Sequence, residues 1–243
     1  MDNTSELTDR LVSWIREQVS AGGCQGAVLG LSGGIDSSLA AALCQRALPR
    51  NTLGILMPCH SISQDEEHAL AVAGRFSIPT RTVVLDGVYD SLLGLLPGDT
   101  DNEAASRLAR MNLKARLRMV TLFYFANQLS YMVVGSSNRS ELAVGYFTKY
   151  GDGGVDIIPL GNLVKGQVRE LARFLDIPGE IIDKPPSAGL WEGQTDEGEL
   201  GFSYEELDGY LLTDEASASL KEKINSMTAN CGHKRLPPPI PDF

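Results

Sequence analysis

Residues 27–43 constrain the fold of this chain more than any other feature of the sequence. An apolar stretch runs into the small-residue loop Ser32, Gly33 and Gly34, and this loop opens directly into a helical pattern. Glycines let a backbone approach an anion closely. The N–H groups of residues 35–38 lack intrahelical partners and lie at the positive end of the helix dipole. The segment therefore predicts a strand, a phosphate-binding loop and a helix.

An acidic residue, Asp36, lies in this loop, where a phosphate site would ordinarily avoid negative charge, and the Lys of a GxxxxGK[ST] loop is absent. A bound divalent cation would resolve that conflict. Ser32, Ser37 and Ser38 add hydroxyl donors. An ordinary strand–turn–helix with a capping Ser accounts for Asp36 or Ser37 alone, but not for two glycines within a serine-rich turn.

Apolar stretches alternate with helical patterns along the first half of the chain. Strands are predicted at residues 27–31, 53–57, 81–85 and 132–135, and helices at residues 7–19, 37–48, 65–76 and 104–128. Successive βα units predict an α/β fold, a doubly wound parallel sheet with helices on both faces. Ligands of such sheets bind beyond the carboxyl ends of the strands. The loops that follow three predicted strands, near residues 32, 58 and 136, should therefore surround one crevice.

Composition narrows the classes of function. The 243 residues, 43% of them hydrophobic, predict a single domain over residues 1–243. A net charge of −10 argues against a broad nucleic-acid or anionic-membrane surface. The polar N-terminus and the lack of a long apolar stretch predict a cytoplasmic protein without a membrane span. Four scattered cysteines without CxxC spacing predict free thiols.

Residues 32–37 form the motif SGGxDS, and further motifs along the chain add to a family resemblance. The loop is the signature of the ATP pyrophosphatases, which split ATP between its α- and β-phosphates and adenylate a substrate. The later motifs lie at residues 112–116, 135–141, 145–156, 159–165, 184–191, 194–197 and 233–235. Together they resemble the ammonia-using NAD synthetases over nearly the whole chain.

The resemblance implies an adenine nucleotide α-hydrolase-like, Rossmann-like sheet and an amidation reaction. ATP would adenylate the carboxylate of nicotinic acid adenine dinucleotide (deamido-NAD), and ammonia would displace AMP to give NAD, with Mg²⁺ required. No glutaminase segment precedes the first strand, so free ammonia is the expected nitrogen donor, and a separate glutaminase partner stays open. The alternatives are another SGGxDS pyrophosphatase, purine-amidating or RNA-thiolating, and a nucleotide-binding module without turnover.

The resemblance also assigns residues to ATP and to the metal ion. The ATP contacts are Gly30, Leu31, Ser32, Gly33, Gly34, Ile35, Asp36, Ser37, Ser136, Lys165 and Ser187. Asp36 and Glu141 would hold Mg²⁺, and Lys165 would meet the charge that builds on the phosphates. Taken singly, Glu141 could equally be a solvated helix residue and Lys165 a surface lysine. A cation at a helix start is unfavourable, however, and an anionic ligand there would offset this.

The family pattern assigns the dinucleotide substrate to Arg116, Lys149, Asp156, His233 and Lys234. The catalytic residues are predicted to be Asp36, Lys165 and Asp156, with Asp152 or Asp156 taking a proton from ammonium. The alternatives are a turn-forming role for both acids, a solvated basic helix face for Arg116 and a surface position for His233.

Two predictions concern larger segments. Residues 185–200 mix Gly, Pro, Ser and acidic residues and predict a mobile loop over the site, with a permanently disordered connection as the alternative. The helix at 104–128 is apolar around more than one face. The resemblance implies a homodimer, and the alternative is a central core helix in a monomer.

Overall fold

The computed structural model describes residues 4–98, 102–187 and 193–242. One sheet contains the strands β1 (Gly26–Gly30), β2 (Thr52–Leu56), β3 (Thr80–Thr82) and β4 (Tyr131–Val133). The first six helices are α1 (Thr4–Ala21), α2 (Ile35–Ala47), α3 (Ser63–Phe76), α4 (Asp86–Leu95), α5 (Glu103–Leu129) and α6 (Arg139–Val144). The others are α7 (Lys165–Phe174), α8 (Gly179–Ile182), α9 (Asp196–Leu200), α10 (Tyr204–Thr213), α11 (Ala218–Asn230) and α12 (Gly232–Arg235).

All strand pairs in the sheet are parallel, and the strand order is β3-β2-β1-β4. The chain moves outward from β1 to β3 and then returns past β1 to the opposite edge, where β4 lies. The carboxyl ends of β1 and β4 therefore flank the position where the winding direction reverses, which is where doubly wound sheets bind their ligands. The predicted fold class is confirmed.

Helices cover both faces of the sheet, because side chains of a strand alternate between the faces. Leu29 of β1 packs into a core with α1, α2 and α7, whereas its neighbour Val28 packs into a second core with α4 and α5. A third, smaller apolar cluster joins Val144 of α6 to Leu207 of α10 and Ile224 of α11. This cluster attaches the C-terminal helices to the sheet through α6.

The structure departs from the sequence prediction at the ends of two strands. The third strand ends at Thr82 rather than 85, and α4, which was not predicted, begins four residues later. The fourth strand ends at Val133 rather than 135. The next residue, Val134, forms a single parallel bridge with Ile157, so the chain at 157 extends the sheet beyond β4.

Other predictions meet the structure as follows. Cys24, Cys44, Cys59 and Cys231 are free thiols, as predicted. In the described ranges, no helix is both long and apolar enough to cross a membrane. Of the predicted mobile segment, residues 188–192 lie outside the described residues, and residues 196–200 form α9. Movement of this segment stays a prediction.

Candidate active site

The loop after β1 has a compact conformation that depends on glycine. Gly33 has φ of 75°, and a Cβ there would lie 2.2 Å from the carbonyl oxygen of Asp65, so only glycine fits. The Ser32 and Ser37 hydroxyls lie 2.9 Å apart and bond each other, and Ser37 Oγ also donates to the carbonyl of Gly34. Gly34 is the N-cap residue of α2, and it has no side chain to accept a hydrogen bond from the first turn of this helix. The N–H of Ser38 donates to the carbonyl of Gly34 over 3.0 Å, contrary to the prediction for residue 38, which leaves the N–H groups of residues 35–37 for a ligand.

Three charged side chains meet beside this loop, although they are far apart in the sequence. Lys165 Nζ lies 2.6 Å from Asp36 Oδ2 and 3.3 Å from Glu141 Oε1. The Lys165 side chain is 2% exposed, and those of Asp36 and Glu141 are 17% and 14% exposed. The alternative positions, a surface lysine and a solvated glutamate, are therefore wrong. The structure brings together the three residues predicted to handle ATP and metal.

Asn138 fixes the relative position of the two carboxylates. Its side-chain amide donates to Asp36 Oδ1 over 2.9 Å, and its side-chain oxygen accepts from the backbone N–H of Glu141. The Glu141 carboxylate in turn accepts from the backbone N–H of Asn138, which completes a capping box at the start of α6. Asn138 is fully buried. No role was predicted for it, although the spacing Asn-x-x-Glu is the sequence signature of such a cap.

The electrostatics of this cluster favour an added cation. Burial and the neighbouring Asp36 raise the pKa of Glu141 to about 8, against the opposing effect of Lys165. Burial alone would lower the pKa of Lys165, but Asp36 and Glu141 raise it above its usual range, so Nζ stays protonated. One ammonium thus faces two carboxyl groups that repel each other when both are ionised, and a divalent ion would offset that repulsion.

The donor set fits magnesium bound together with a nucleotide. Within the described ranges, no three His, Cys, Asp or Glu side chains form a ready-made metal site. Asp36 and Glu141 supply hard oxygen ligands, and Mg²⁺ commonly takes one or two carboxylates and completes its shell with phosphate oxygens and water.

The C-terminal helices cover Lys165 from the other side. The Tyr204 ring lies 4.9 Å from Lys165 Nζ, and the Tyr204 hydroxyl donates to Asp196 over 3.0 Å. Burial raises the pKa of Asp196. The sequence contained Asp196 in a family motif, but nothing in its local pattern indicated contact with Lys165's neighbours.

Four of the predicted substrate residues meet around residues 145–154. Lys149 Nζ donates to the carbonyl of His233 over 2.6 Å, and Arg116 donates to the carbonyl of Lys149 over 3.3 Å. Lys234 Nζ donates to the carbonyls of Gly145 and Phe147, each over 2.9 Å. Three sequence segments that are separated by at least thirty residues therefore form one basic cluster, and its role in binding the substrate stays a prediction.

Other predicted residues take up separate positions. The Asp156 carboxylate accepts from the backbone N–H of Val133 over 2.8 Å, and that of Asp152 accepts from the backbone N–H of Thr148 over 2.9 Å. Both acids therefore have backbone-holding roles, and a proton-accepting role for either stays a prediction. Ser136 is half-buried just beyond β4, whereas Ser187 is exposed next to residues outside the described ranges.

The fold and this site define an ATP pyrophosphatase: a parallel sheet, an SGGxDS loop at the end of β1, and an Asp, Glu and Lys cluster beside it. A sequence profile of the family described as NAD synthase matches residues 7–238. The chain therefore belongs to the NAD synthase family, whose members are enzymes that act on small molecules and use ATP as cosubstrate.

Individual relatives agree with this assignment. The chain is 48% identical over 239 residues to the NH(3)-dependent NAD(+) synthetase of Carboxydothermus hydrogenoformans, with 98% of each chain covered. It is similar in structure to the NMN synthetase of Francisella tularensis, with a TM-score of 0.94, 38% identity and all of both chains covered. It is also similar to the NH3-dependent NAD synthetase of Campylobacter jejuni, with a TM-score of 0.82, 29% identity, and 99% and 100% of the two chains covered.

Proposed function

We propose that the chain amidates deamido-NAD with ammonia, at the expense of ATP, to give NAD, AMP and pyrophosphate. The single observation that carries this proposal is the convergence of Asp36, Glu141 and Lys165 beside the loop after β1. Membership of the NAD synthase family over residues 7–238 supplies the substrate class.

The chemistry requires a poor leaving group to be replaced. A carboxylate oxygen leaves badly as hydroxide, whereas the oxygen of an acyl adenylate leaves as AMP. The carboxylate attacks the α-phosphorus of ATP, the α–β bond breaks, and pyrophosphate departs with its extra charge. Ammonia then forms the C–N bond as the C–O bond to AMP breaks, and a proton is lost from nitrogen.

The residues around ATP would divide this work. The N–H groups at the start of α2 and the hydroxyls of Ser32 and Ser37 hold phosphate oxygens. Lys165, already protonated and buried, donates to a departing phosphate oxygen. Asp36 and Glu141 would hold Mg²⁺, which supplies charge neutralisation on the phosphates when bound. Lys165 already offsets part of the charge of Asp36 and Glu141 in the described part of the chain.

The basic cluster of Arg116, Lys149, His233 and Lys234 would bind the anionic dinucleotide. Lys149 and Lys234 currently donate to backbone carbonyls, so phosphate oxygens would replace neutral acceptors with charged ones, which form stronger hydrogen bonds. Asp156, which accepts from the N–H of Val133, lies at the end of β4. Ammonia is the proposed nitrogen donor, delivered free or by a separate glutaminase.

One assay tests the reaction. The protein is incubated with ATP, MgCl₂, ammonium and deamido-NAD, and NAD, AMP and pyrophosphate are quantified. Equal yields of all three support the proposal. ATP that binds but stays intact would show a nucleotide-binding module instead, and AMP formation that needs a purine or an RNA would show a different pyrophosphatase.

A second candidate substrate is the mononucleotide acid, nicotinic acid mononucleotide, which amidation would convert to NMN. The observation that favours it is the TM-score of 0.94 to a structure described as an NMN synthetase, above the 0.82 to an NAD synthetase. The two acids carry the same pyridine carboxylate and differ only in the adenylate half. Comparing kcat/KM for the two acids under identical ATP and ammonium concentrations decides between them.

We further propose that the chain forms a homodimer through α4 and α5, which pack against each other. Val88 and Leu95 lie one above the other on α4, and Val120 and Tyr124 do so on α5. All four are at least half exposed, so both helices present apolar side chains that a second copy would cover. Sedimentation at micromolar concentration should give a species of twice 26.2 kDa. A Val120→Glu variant should sediment as a monomer, and a monomeric parental chain would refute the proposal.

A further inference from the structure

Asp36, Glu141 and Lys165 are called the ATP-handling cluster below. Asp208 of α10 lies outside this cluster and forms hydrogen bonds to the first turns of two different helices. Its Oδ1 accepts from the Ser140 hydroxyl of α6 over 2.5 Å, and its Oδ2 accepts from the Gly166 N–H of α7 over 2.7 Å. Ser140 Oγ also accepts from the backbone N–H of Lys165 over 3.1 Å. The three hydrogen bonds close a ring through Asp208, Ser140, Lys165 and Gly166.

This ring is buried and charged. Asp208 is 8% exposed and Ser140 is not exposed at all. A carboxylate that accepts at a helix N-terminus gains from the helix dipole and satisfies N–H groups that have no intrahelical partner. The Asp208 carboxylate accepts from the Gly166 N–H at the start of α7, and it is bonded to α6 through the Ser140 hydroxyl. A buried charged acceptor of this kind is costly to remove, because its donors would be left without partners.

Each of the two helices carries one residue of the ATP-handling cluster directly beside its contact with Asp208. Glu141 follows Ser140 in α6, and Lys165 precedes Gly166 in α7. The separation between the Glu141 carboxylate and Lys165 Nζ, 3.3 Å, therefore depends on how the starts of α6 and α7 are held together. The hydrogen bond from the Lys165 N–H to Ser140 Oγ is part of the same ring, so the ring also holds the backbone of Lys165.

We propose that Asp208 is a positioning residue that fixes Glu141 and Lys165 in one geometry for metal binding and for breaking the α–β bond of ATP. This inference rests on the proposed function, because it takes Glu141 as a metal ligand and Lys165 as a phosphate donor. Asp208 itself touches neither ATP nor metal, so its removal changes placement without removing a ligand.

The substitution Asp208→Asn tests this with little change of shape. An amide keeps one acceptor oxygen for the Gly166 N–H, but its NH₂ group can only donate, so the bond to Ser140 Oγ would have to reverse its direction and the carboxylate charge is lost. Ser140→Ala opens the ring at a second position and serves if the first variant folds poorly. Asp214→Asn is the matched control, because Asp214 ends the same helix with an 85% exposed side chain.

The readouts separate positioning from general weakening. Asp208→Asn should lower the kcat of NAD formation and the rate of ATP–pyrophosphate exchange, and should raise the Mg²⁺ activation constant, each by about 10- to 100-fold. The KM for deamido-NAD should stay near its parental value, because the basic cluster is untouched. The double variant with Ser140→Ala should be hardly worse than the poorer single variant, since both substitutions disturb the same ring.

Other results overturn the proposal. It is wrong if kcat falls only as far as the folded fraction measured by circular dichroism, if the Mg²⁺ constant is unchanged, or if Asp214→Asn behaves alike. A parental chain that forms no NAD would refute the proposed function instead. An active parental chain beside an unperturbed Asp208→Asn refutes only the positioning role.

Discussion

Replacing Lys165 by methionine removes the positive charge at the centre of the site and keeps a side chain of similar length. Lys165 Nζ is held at 2.6 Å from Asp36 and 3.3 Å from Glu141, with almost no exposure. In the variant, two partly buried carboxylates face each other without a counter-charge. We expect losses in both stability and rate, with different causes.

The size of each loss follows from this geometry. Breaking a buried ion pair by removing one partner costs about 3–5 kcal/mol. The pKa of Glu141 is already raised to about 8, so this carboxyl is largely neutral at neutral pH even with Lys165 present, and the lower end, about 3 kcal/mol, is expected. Domains have about 5–15 kcal/mol to lose, so the variant should still fold. Loss of one donor to a developing phosphate charge should lower kcat by about 100- to 1000-fold.

Urea unfolding and ATP–pyrophosphate exchange measure the two effects separately. Millimolar MgCl₂ should restore part of the stability of Lys165→Met, because the ion replaces the missing charge between Asp36 and Glu141, but should not restore the rate. Lys221→Met is the control, since Lys221 is only half-buried and pairs at 3.8 Å with an exposed Asp214, a contact worth under about 1 kcal/mol. Parental stability together with parental exchange in Lys165→Met would refute this account of the site.

Three further predictions follow from single side chains. Gly33→Ala should distort the phosphate loop, because its Cβ would meet the Asp65 carbonyl at 2.2 Å, and calorimetry should show weakened ATP binding. Gly74→Ala, with open space around it in α3, should leave binding unchanged. Asn138→Ala should cost about 1–2 kcal/mol in urea unfolding, as a lost cap, and also most of the turnover, because Asp36 loses its donor. The matched cap variant Asn102→Ala should cost stability alone, and equal turnover in the two variants would contradict the role of Asn138. Burial raises the pKa of Cys44 to about 12, so at pH 8 only about one molecule in 10,000 carries the thiolate at this position. Iodoacetamide should therefore label the half-exposed Cys24 and spare Cys44 in the native protein, and mass spectrometry of the labelled peptides measures this. Rapid labelling of Cys44 without unfolding would contradict its burial.

The sheet could be predicted from the sequence because its strands are short apolar stretches followed by helical periodicity. Helix α4 could not, since Gly87 and Gly94 both fall within its ten residues and lower its intrinsic helix propensity. Packing of Tyr89 against the second core forms this helix despite its sequence. The C-terminal helices α9 and α12 have only five and four residues, and the positions of α10 and α11 are decided by tertiary contacts with α6 and α7.

The site could be predicted only in part, for a related reason. Asp36 and Glu141 follow strand ends, and parallel strands bring such positions together, so their meeting was predictable once the topology was assumed. The contacts of Tyr204 and Asp208 depend on how α10 lies across the starts of α6 and α7, and no local pattern encodes that packing. Asn138 was readable as a helix cap, but its bond to Asp36, across 102 residues, was not.

The strand order β3-β2-β1-β4 has a consequence for protein synthesis. The loop after β1 leaves the ribosome early, whereas Glu141, Lys165 and α10 follow only after more than a hundred further residues have been translated. A nascent chain that ends before α7 carries the phosphate loop but lacks Lys165, the only cation found beside Asp36 in the described residues. A ribosome-released fragment of the first half should therefore lack the charge that meets a departing pyrophosphate, and should not cleave ATP.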